Sequence, residues 1–353
     1  MPVKRAEKTP MPVRDPNVRA HDFKEVNEGY CFAHAMFEAE RCLRCQDPVC
    51  VEGCPVRVPI AEFMHAVVVN DLPKAAELLR SANPLAAICG RVCPQEAQCE
   101  KNCHMTTRFG PVAIGHLERY VSDWEMSQPQ SDEVKEPWRK EKIAVIGSGP
   151  SGLVCAGELA RMGYPVTVYE ALHAPGGVLR YGIPEFRLPN ELVDDVVEKI
   201  RLLGGQFVTN FVVGKTATLE SLKRAGFWKV FIGTGAGLPK FLSVPGEHLL
   251  GIMSANEFLT RVNLMQGHRE GSETPLPETK GKQVIVIGGG NTAMDAARTA
   301  RRATPSGGAS GQTQQDPAPP GGRVRAAPEL ESAAAATRIE AEDRAGLERR
   351  LAR

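Results

Sequence analysis

The sequence has almost no net charge, no long apolar run and no apolar leader. Lys and Arg number 43 against 42 Asp and Glu in 353 residues, which gives a formal net charge of +1. This balance gives no reason to expect nucleic acid or an anionic membrane as a partner. No apolar run approaches the roughly 20 residues of a membrane-spanning helix, and the polar, basic N-terminus lacks the apolar centre of an export signal. We therefore expect a cytoplasmic protein.

Cysteine is nearly absent from most of the chain. Nine of the ten cysteines lie between Cys31 and Cys103, and Cys155 alone lies outside that region. Such clustering in a cytoplasmic chain argues for metal or redox chemistry rather than disulfides. Because 353 residues allow about two or three domains, the cysteine-rich third is predicted to be a separate module. We expect Cys31 to be a buried thiol and Cys155 to pack its helix against a sheet.

Eight of these cysteines form two closely spaced runs. The first, "CLRCQDPVCVEGCP", and the second, "CGRVCPQEAQCEKNC", each carry a proline directly after one cysteine. Such thiolates suit iron–sulfur clusters, so two runs predict two clusters, and a crossed sharing of ligands is open, as in two-cluster ferredoxins. Structural zinc is the alternative, but only one C-x2-C pair is present, where zinc sites use two. The runs contain Cys42, Cys45, Cys50 and Cys54, then Cys89, Cys93, Cys99 and Cys103.

Two glycine-rich loops follow the module, each where an apolar strand ends and an amphipathic helix begins. Glycine permits a tight turn and a close backbone approach to a pyrophosphate, and the helix N-terminus supplies unpaired N–H groups. Each loop is therefore predicted to bind a dinucleotide. The first has Gly147, Gly149 and Gly152, and the second has Gly288, Gly290 and Ala293.

The first loop has two further features of a dinucleotide site. The following strand, "PVTVYE", ends in Glu170, about 20 residues on, where an acid can bind a ribose hydroxyl. Gly176 and Gly177 then permit a second close approach of the backbone to a bound group. These features favour FAD at the first loop and a nicotinamide dinucleotide at the second, which together would complete a hydride relay.

Taken together, these motifs resemble one known family. The cysteine module, "GPVAIGHLER", "GGVLRYGIPEFRLP", "FIGTGAGLPK" and both loops are similar to the small subunit of NADPH-dependent glutamate synthase. The same family includes the large subunit of NADH-dependent ferredoxin:NADP oxidoreductase and the N-terminal half of dihydropyrimidine dehydrogenase. The resemblance extends from about residue 22 to Arg302.

The resemblance implies a crossed set of cluster ligands. One 4Fe–4S cluster would be held by Cys42, Cys45, Cys50 and Cys103. The other would take Cys54, Cys93, Cys99 and, as a ligand that is not a thiolate, Glu118. Cys89 is left spare. Without the resemblance, Glu118 would be interpreted as a solvated helix residue.

The resemblance also implies the dinucleotide contacts. The segment "YGIPEFRLP" would run near the isoalloxazine, and "VFIGTGAG" would return the chain toward the flavin. The residues implied to contact FAD are Gly147, Ser148, Gly149, Gly152, Glu170, Gly177, Arg180, Gly233 and Gly235. Those implied to contact NADPH are Gly288, Gly290, Asn291 and Thr292.

We therefore predict an α+β multidomain protein. A helical double iron–sulfur domain is followed by a Rossmann-like α/β FAD-binding domain with an inserted, truncated NADPH-binding domain. The predicted parts are a flexible arm (1–21), the iron–sulfur domain (22–126), a polar linker (127–142), the FAD domain (143–280), the start of the NADPH domain (281–302) and a disordered tail (303–353) that includes a charged terminal helix.

The resemblance ends after Arg302. The tail is rich in Ala, Gly, Pro and Arg and almost free of aromatic and β-branched residues, so we expect that it cannot complete a sheet. A lone strand, loop and helix cannot bury both faces of a parallel sheet. Our hypothesis is that the chain is a truncated or frame-shifted copy of a complete enzyme. The alternative is that a second polypeptide supplies the missing half.

The function implied by the resemblance is electron transfer from NADPH through FAD and two clusters to a partner subunit. In glutamate synthase the partner converts glutamine and 2-oxoglutarate to glutamate, and no residue of this chain resembles the activated nucleophile of an amidotransferase. Two alternatives stay open: a ferredoxin:NADP oxidoreductase large subunit, and an iron–sulfur module without hydride chemistry.

Overall fold

The N-terminal part of the protein is built from helices. The computed structural model describes residues 7–129, 134–277, 279, 283–303 and 324–326. The helices are α1 (Pro16–Arg19), α2 (Phe32–Glu40), α3 (Val49–Glu52), α4 (Ile60–Val68), α5 (Leu72–Ala82), α6 (Ala86–Val92), α7 (Thr106–Phe109) and α8 (Ile114–Met126). Asp71 caps α5 by accepting a hydrogen bond from Lys74 N, and Pro73 lies in its first turn. Such a start is what an N-cap acid followed by proline favours.

One apolar core joins these helices. In α4, the buried Ile60, Phe63, Met64 and Val67 recur at the spacing of a single helix face. In α8, Leu117 and Val121 do the same and are fully buried. Several of the cysteines pack against this core, so the helices form the walls around them.

A buried ion pair holds the N-terminal segment and a later loop on α2. The side chains of Glu38 and Arg41 are both fully buried and contact each other. Glu38 accepts hydrogen bonds from Thr9 N at 2.8 Å and from Ala113 N at 2.7 Å. Arg41 donates to the carbonyl oxygens of residues 109, 110 and 111. Residues 1–21 are predicted to be a flexible arm, but Thr9 is packed on the helices because its N–H satisfies this buried carboxylate.

The second part is a parallel α/β layer structure. Its strands are β1 (Lys142–Ile146), β2 (Val166–Tyr169), β3 (Gln206–Val208) and β4 (Phe227–Ile232), and its helices are α9 (Pro150–Arg161), α10 (Val178–Tyr181), α11 (Asn190–Leu202) and α12 (Leu219–Arg224). All pairings are parallel in the order β3-β2-β1-β4. The chain therefore turns to the other side of β1 when it reaches β4, and ligands of such sheets bind at this switch point. The predicted Rossmann-like fold is confirmed in this region.

A third group of elements packs apart from that sheet. It comprises α13 (Ala255–Asn263), β5 (Val284–Val286), α14 (Asn291–Arg302) and β6 (Val324–Ala326). Phe258, Leu259 and Val262 of α13 share a core with Ala296 and Ala300 of α14. Helix α13 lies within the range predicted for the FAD domain (143–280), and its apolar face is buried against the helix that follows the second glycine loop.

The tail contributes one strand. Val324–Ala326 pairs in parallel with Val284–Val286. The edge of β5 offers backbone groups that this extended segment can bond. The expectation that the tail cannot complete a sheet stays a prediction. The rest of the tail, with its predicted charged helix, lies outside the described residues. Among the described helices, none has the length and apolarity needed to cross a membrane.

The first prediction concerns the buried ion pair. Replacing Glu38 by Ala leaves the Arg41 guanidinium buried without its carboxylate, so we expect the free energy of unfolding to fall by about 3–5 kcal/mol. Urea denaturation measures the change. The matched control is Glu158→Ala, which breaks the exposed pair with Arg161 and is expected to cost less than about 1 kcal/mol. Equal effects of the two variants would contradict the role of the buried pair.

Candidate functional sites

Three cysteines that are close in the sequence and one distant cysteine line one cavity. The apolar walls of this cavity include Ile60, Met64 and Val112. Cys42 follows α2, Cys50 lies in α3, and the last cysteine precedes α7 by three residues. We call this set the first cysteine group: Cys42, Cys45, Cys50 and Cys103.

The first cysteine group is poorly suited to carrying negative charge without a cation. Burial raises the pKa of Cys42, and it raises the pKa of Cys50 to about 12. The neighbouring thiolates, led by Cys103, raise both pKa values further. Because metal binding requires thiolates, a positively charged iron group would offset this cost and release the protons.

A second group of predicted cluster ligands lies near the junction of α6 and α8. The charges of Cys54 and Glu118 act on both Cys93 and Cys99, so the four side chains are neighbours. Burial raises the pKa of Cys99 to about 12. We call this set the second group: Cys54, Cys93, Cys99 and Glu118.

Glu118 lies in the interior, not on a solvated helix face. It is 7% exposed, and its Oε1 accepts a hydrogen bond of 2.9 Å from Asn83 Nδ2. Burial, followed by the charge of Cys89, raises the pKa of Glu118 to about 8. A buried carboxylate with one oxygen bonded has the other oxygen available for a cation.

Two cysteines remain outside these groups in the N-terminal part. Cys89 lies beside the second group, and a hydrogen bond with its side chain lowers the pKa of Cys93. Cys31 is exposed, which corrects the expectation of a buried thiol. Cys31 is the N-cap residue of α2. It therefore lies just before the first helical residue and is not part of the buried face of α2. Cys155 lies on α9 and packs against the α/β core as expected.

Four thiols around one cavity match the ligand set that a 4Fe–4S cluster uses. In a four-iron cluster each thiolate binds a different iron atom, so the sulfur atoms line a cavity instead of meeting at one point. Structural zinc requires four ligands around one atom.

The first glycine loop connects β1 to α9 through close backbone contacts. Gly147 has a φ of +94°, and a Cβ there would lie 2.4 Å from the carbonyl oxygen of Gly233. A Cβ at Gly152 would lie 1.9 Å from the carbonyl oxygen of Gly147. A Cβ at Gly149 would meet no protein atom within 4 Å. Gly147 and Gly152 therefore serve the turn, and Gly149 faces open space at the helix N-terminus, where a pyrophosphate binds in such folds.

Glu170 holds this loop in shape. Its Oε2 accepts a 2.9 Å hydrogen bond from Ser148 N and a second from Ser148 Oγ. Its Oε1 accepts a 2.8 Å hydrogen bond from Leu172 N, and Ser148 Oγ in turn accepts from Gly176 N at 2.9 Å. Glu170 and Ser148 thus connect the first glycine loop to the segment of Gly176 and Gly177. The sequence-based role, binding a ribose hydroxyl, stays a prediction.

The other predicted flavin contacts surround the same loop. A Cβ at Gly177, whose φ is +54°, would lie 2.7 Å from Gly149 Cα. Gly233 N donates to Ile146 O at 2.8 Å, which continues the pairing of β4 with β1. Gly235 has a φ of +70° and open space at its Cβ position. Arg180 lies farther out, where it donates to Pro175 O and contacts Asp194.

The second glycine loop has a similar turn in more open surroundings. Gly288 has a φ of +129°, and a Cβ at Gly290 would meet no protein atom within 4 Å. Gly290 is the N-cap of α14, and Asn291 and Thr292 form its exposed first turn. These four residues thus surround one helix N-terminus that is open to an anionic group.

The spacing of cysteines and glycines in the sequence does not identify every residue of the candidate sites. Asn83, which bonds Glu118, lies outside the cysteine runs. Gln95, whose Nε2 donates to Cys89 O at 3.0 Å, lies within the second run, but the cysteine spacing assigns it no role. Gly90, in the middle of α6, is the one available signal, because a helix-interior glycine suggests close approach of another backbone.

Comparison with known proteins agrees with this geometry. A family model described as dihydropyrimidine dehydrogenase domain II, 4Fe-4S cluster, matches residues 19–130. A second, described as pyridine nucleotide-disulphide oxidoreductase, matches residues 141–306. Together they support a 4Fe–4S cluster, FAD and a nicotinamide dinucleotide as cofactors.

Curated relatives align across both parts. The NAD-dependent dihydropyrimidine dehydrogenase subunit PreT of Escherichia coli K12 is 38% identical over 280 residues, which is 78% of this chain and 64% of the relative. The glutamate synthase (NADPH) small chain of the same strain is 35% identical over 295 residues, 82% of this chain and 62% of the relative. The chain thus spans less than two thirds of the length of these relatives.

A solved structure, Mycobacterium tuberculosis FprA in complex with NADPH, is 28% identical with a TM-score of 0.39, covering 45% of this chain and 36% of that one. The two family models together match most of the described chain. The chain is therefore similar to the iron–sulfur and pyridine-nucleotide oxidoreductases that include the glutamate synthase small subunit and PreT.

Proposed function

We propose that the chain takes electrons from NADPH and passes them through FAD and two 4Fe–4S clusters to a partner subunit. When bound, the flavin accepts a hydride and releases single electrons, which the clusters carry. The first cysteine group would hold one cluster and the second group the other. The first glycine loop would bind FAD, and the second would bind NADPH.

The single observation that carries this proposal is the position of α6. Leu85 and Ile88, at the start and middle of this helix, are buried in the same core as Val145 of β1 and Leu153 of α9. The same helix ends at Cys93. A ligand of the second group is therefore attached directly to the dinucleotide-binding fold.

This attachment suggests an order for the electron path. The second group includes Cys93, the C-cap residue of α6, and that helix packs in the α/β core. Three members of the first cysteine group pack against the helical core instead: Cys42, Cys50 and Cys103. We infer that electrons pass from the flavin to the cluster of the second group and then to that of the first cysteine group. Leu43, which lines the first cavity, is 42% exposed, so that cavity lies close to the surface where a partner would dock.

The electron acceptor can be proposed as a class of partner subunit. The relatives include a glutamate synthase small chain and a dihydropyrimidine dehydrogenase subunit. The first candidate partner is a large glutamate synthase subunit that carries the amidotransferase chemistry absent from this chain's motifs. The second is a pyrimidine-reducing subunit, favoured by the 38% identity to PreT. A ferredoxin:NADP oxidoreductase partner stays an alternative, and we propose no nucleic acid or membrane partner.

A second candidate function is an iron–sulfur module without hydride chemistry. The observation that favours it is the small sheet of β5 and β6, where Ile285 and Ile287 are 76% and 74% exposed. A sheet of two short strands is marginal by itself. NADPH binding at the second loop would then need a further strand or a covering chain.

An absorption spectrum distinguishes the two candidates. We expect the anaerobically purified full chain to show flavin and iron–sulfur bands, both of which bleach on addition of NADPH. Dithionite serves as the control, because it reduces clusters without a hydride site. Bleaching by dithionite but not by NADPH would contradict the relay and select the module, and absence of flavin would exclude FAD binding.

A pair of glycine variants tests the flavin site. In Gly149→Ala the new methyl group projects into open space at the helix N-terminus, so we expect the fold to persist while FAD affinity falls at least tenfold, or by ~1.4 kcal/mol. In Gly152→Ala the methyl group meets the Gly147 carbonyl oxygen, so the fold itself should lose stability. Flavin content and thermal unfolding of both variants are measured together. Full flavin binding by Gly149→Ala would place FAD elsewhere.

A further inference from the structure

Cys89 is the cysteine that the proposed ligand sets leave unused, and the backbone fixes it one helical turn before Cys93. Cys93 N donates a hydrogen bond to Cys89 O at 3.1 Å. Gln95 Nε2 donates to the same oxygen at 3.0 Å. Side chains four residues apart in a helix lie on one face, so the side chain of Cys89 and that of Cys93, the C-cap residue of α6, lie side by side.

The Cys89 thiol has two candidate acceptors. Its Sγ donates a long hydrogen bond of 3.8 Å to Asn83 Oδ1, an oxygen that also accepts a 3.0 Å hydrogen bond from Leu85 N. Cys93 would carry negative charge as a cluster ligand, and a charged acceptor binds a proton donor more strongly than a neutral amide oxygen. A thiol can donate one hydrogen bond, and Cys93 is its better partner.

Close contact between α6 and α8 keeps this geometry in place. A Cβ at Gly90, the residue after Cys89, would lie 2.7 Å from Arg119 N. The helix therefore cannot move toward α8, where Glu118 lies, and it is held on its other side by Leu85 and Ile88 in the α/β core. Cys89 is thus fixed beside the ligand position without having to be a ligand itself.

We propose that Cys89 is a positioning residue whose thiol donates a hydrogen bond to the sulfur of Cys93 and raises the reduction potential of the cluster in the second group. This inference rests on the proposed function, because it requires that cluster. Reduction adds negative charge to the cluster and its sulfur ligands, and a donated hydrogen bond stabilises that charge. The cluster nearest the dinucleotide fold would therefore accept an electron more readily.

Three variants test the proposal in the full chain, purified anaerobically. Cys89→Ala removes the donor, Cys89→Ser keeps one, and Cys31→Ala removes an exposed cysteine of the same domain as the control. Iron content and redox titration followed by electron paramagnetic resonance are measured for each. We expect full iron content in all three and a tenfold lower equilibrium constant for reduction of one cluster in Cys89→Ala, which equals ~59 mV for one electron. Cys89→Ser should restore most of the difference.

A second measurement does not depend on reduction. Resonance Raman spectra in H2O and D2O should show an isotope shift of an iron–sulfur stretching band in the wild-type protein that Cys89→Ala abolishes. Unchanged potentials and an unchanged isotope shift in Cys89→Ala would overturn the inference while leaving the proposed function intact. Loss of about four iron atoms in Cys89→Ala would also overturn it, because Cys89 would then be a ligand. A wild-type chain without clusters would overturn both.

Discussion

Close packing of α6 against α8 is the constraint on which the rest of the site depends. Gly90 allows it, because any larger residue would place its Cβ 2.7 Å from Arg119 N and 2.9 Å from Gly115 O. This approach puts Glu118, on α8, next to Cys93 at the end of α6. A carboxylate and a thiolate from separate helices can serve one inorganic group only if the two backbones are this close.

The same helix also connects the two halves of the protein. Its first residue, Ala86, is buried in the core of the cysteine-rich helices, whereas Ile88 and Val92 pack in the α/β core. The first glycine loop also depends on the absence of side chains. Gly152 and Gly147 allow a helix and a turn to contact each other at the end of β1. In both places the missing side chain lets secondary structures approach, and the functional groups are held by rigid elements.

Much of this organisation can be predicted from the sequence, because it depends on residues that are close together along the chain. Three features are of this kind: the cysteine runs, the two strand–loop–helix patterns and the polar linker after the helical region. The remaining features depend on contacts across long sequence separations. Examples are the burial of Glu118 by Asn83, the capture of Thr9 by Glu38, and the pairing of Glu170 with Ser148. The periodicity of apolar residues cannot identify such hydrogen-bond partners. The exposure of Cys31 is also not predictable from it, because it depends on the residue at which α2 begins.

We propose that seven cysteines and Glu118 build two separate 4Fe–4S sites. The content of iron, zinc and acid-labile sulfide tests this directly in the anaerobically isolated chain and in Cys45→Ser and Cys99→Ser. We expect about eight iron and eight sulfide atoms per wild-type chain, and loss of about four of each in either variant, since a four-iron cluster contains four of each. Zinc without sulfide, or loss of all iron in one variant with none in the other, would contradict it.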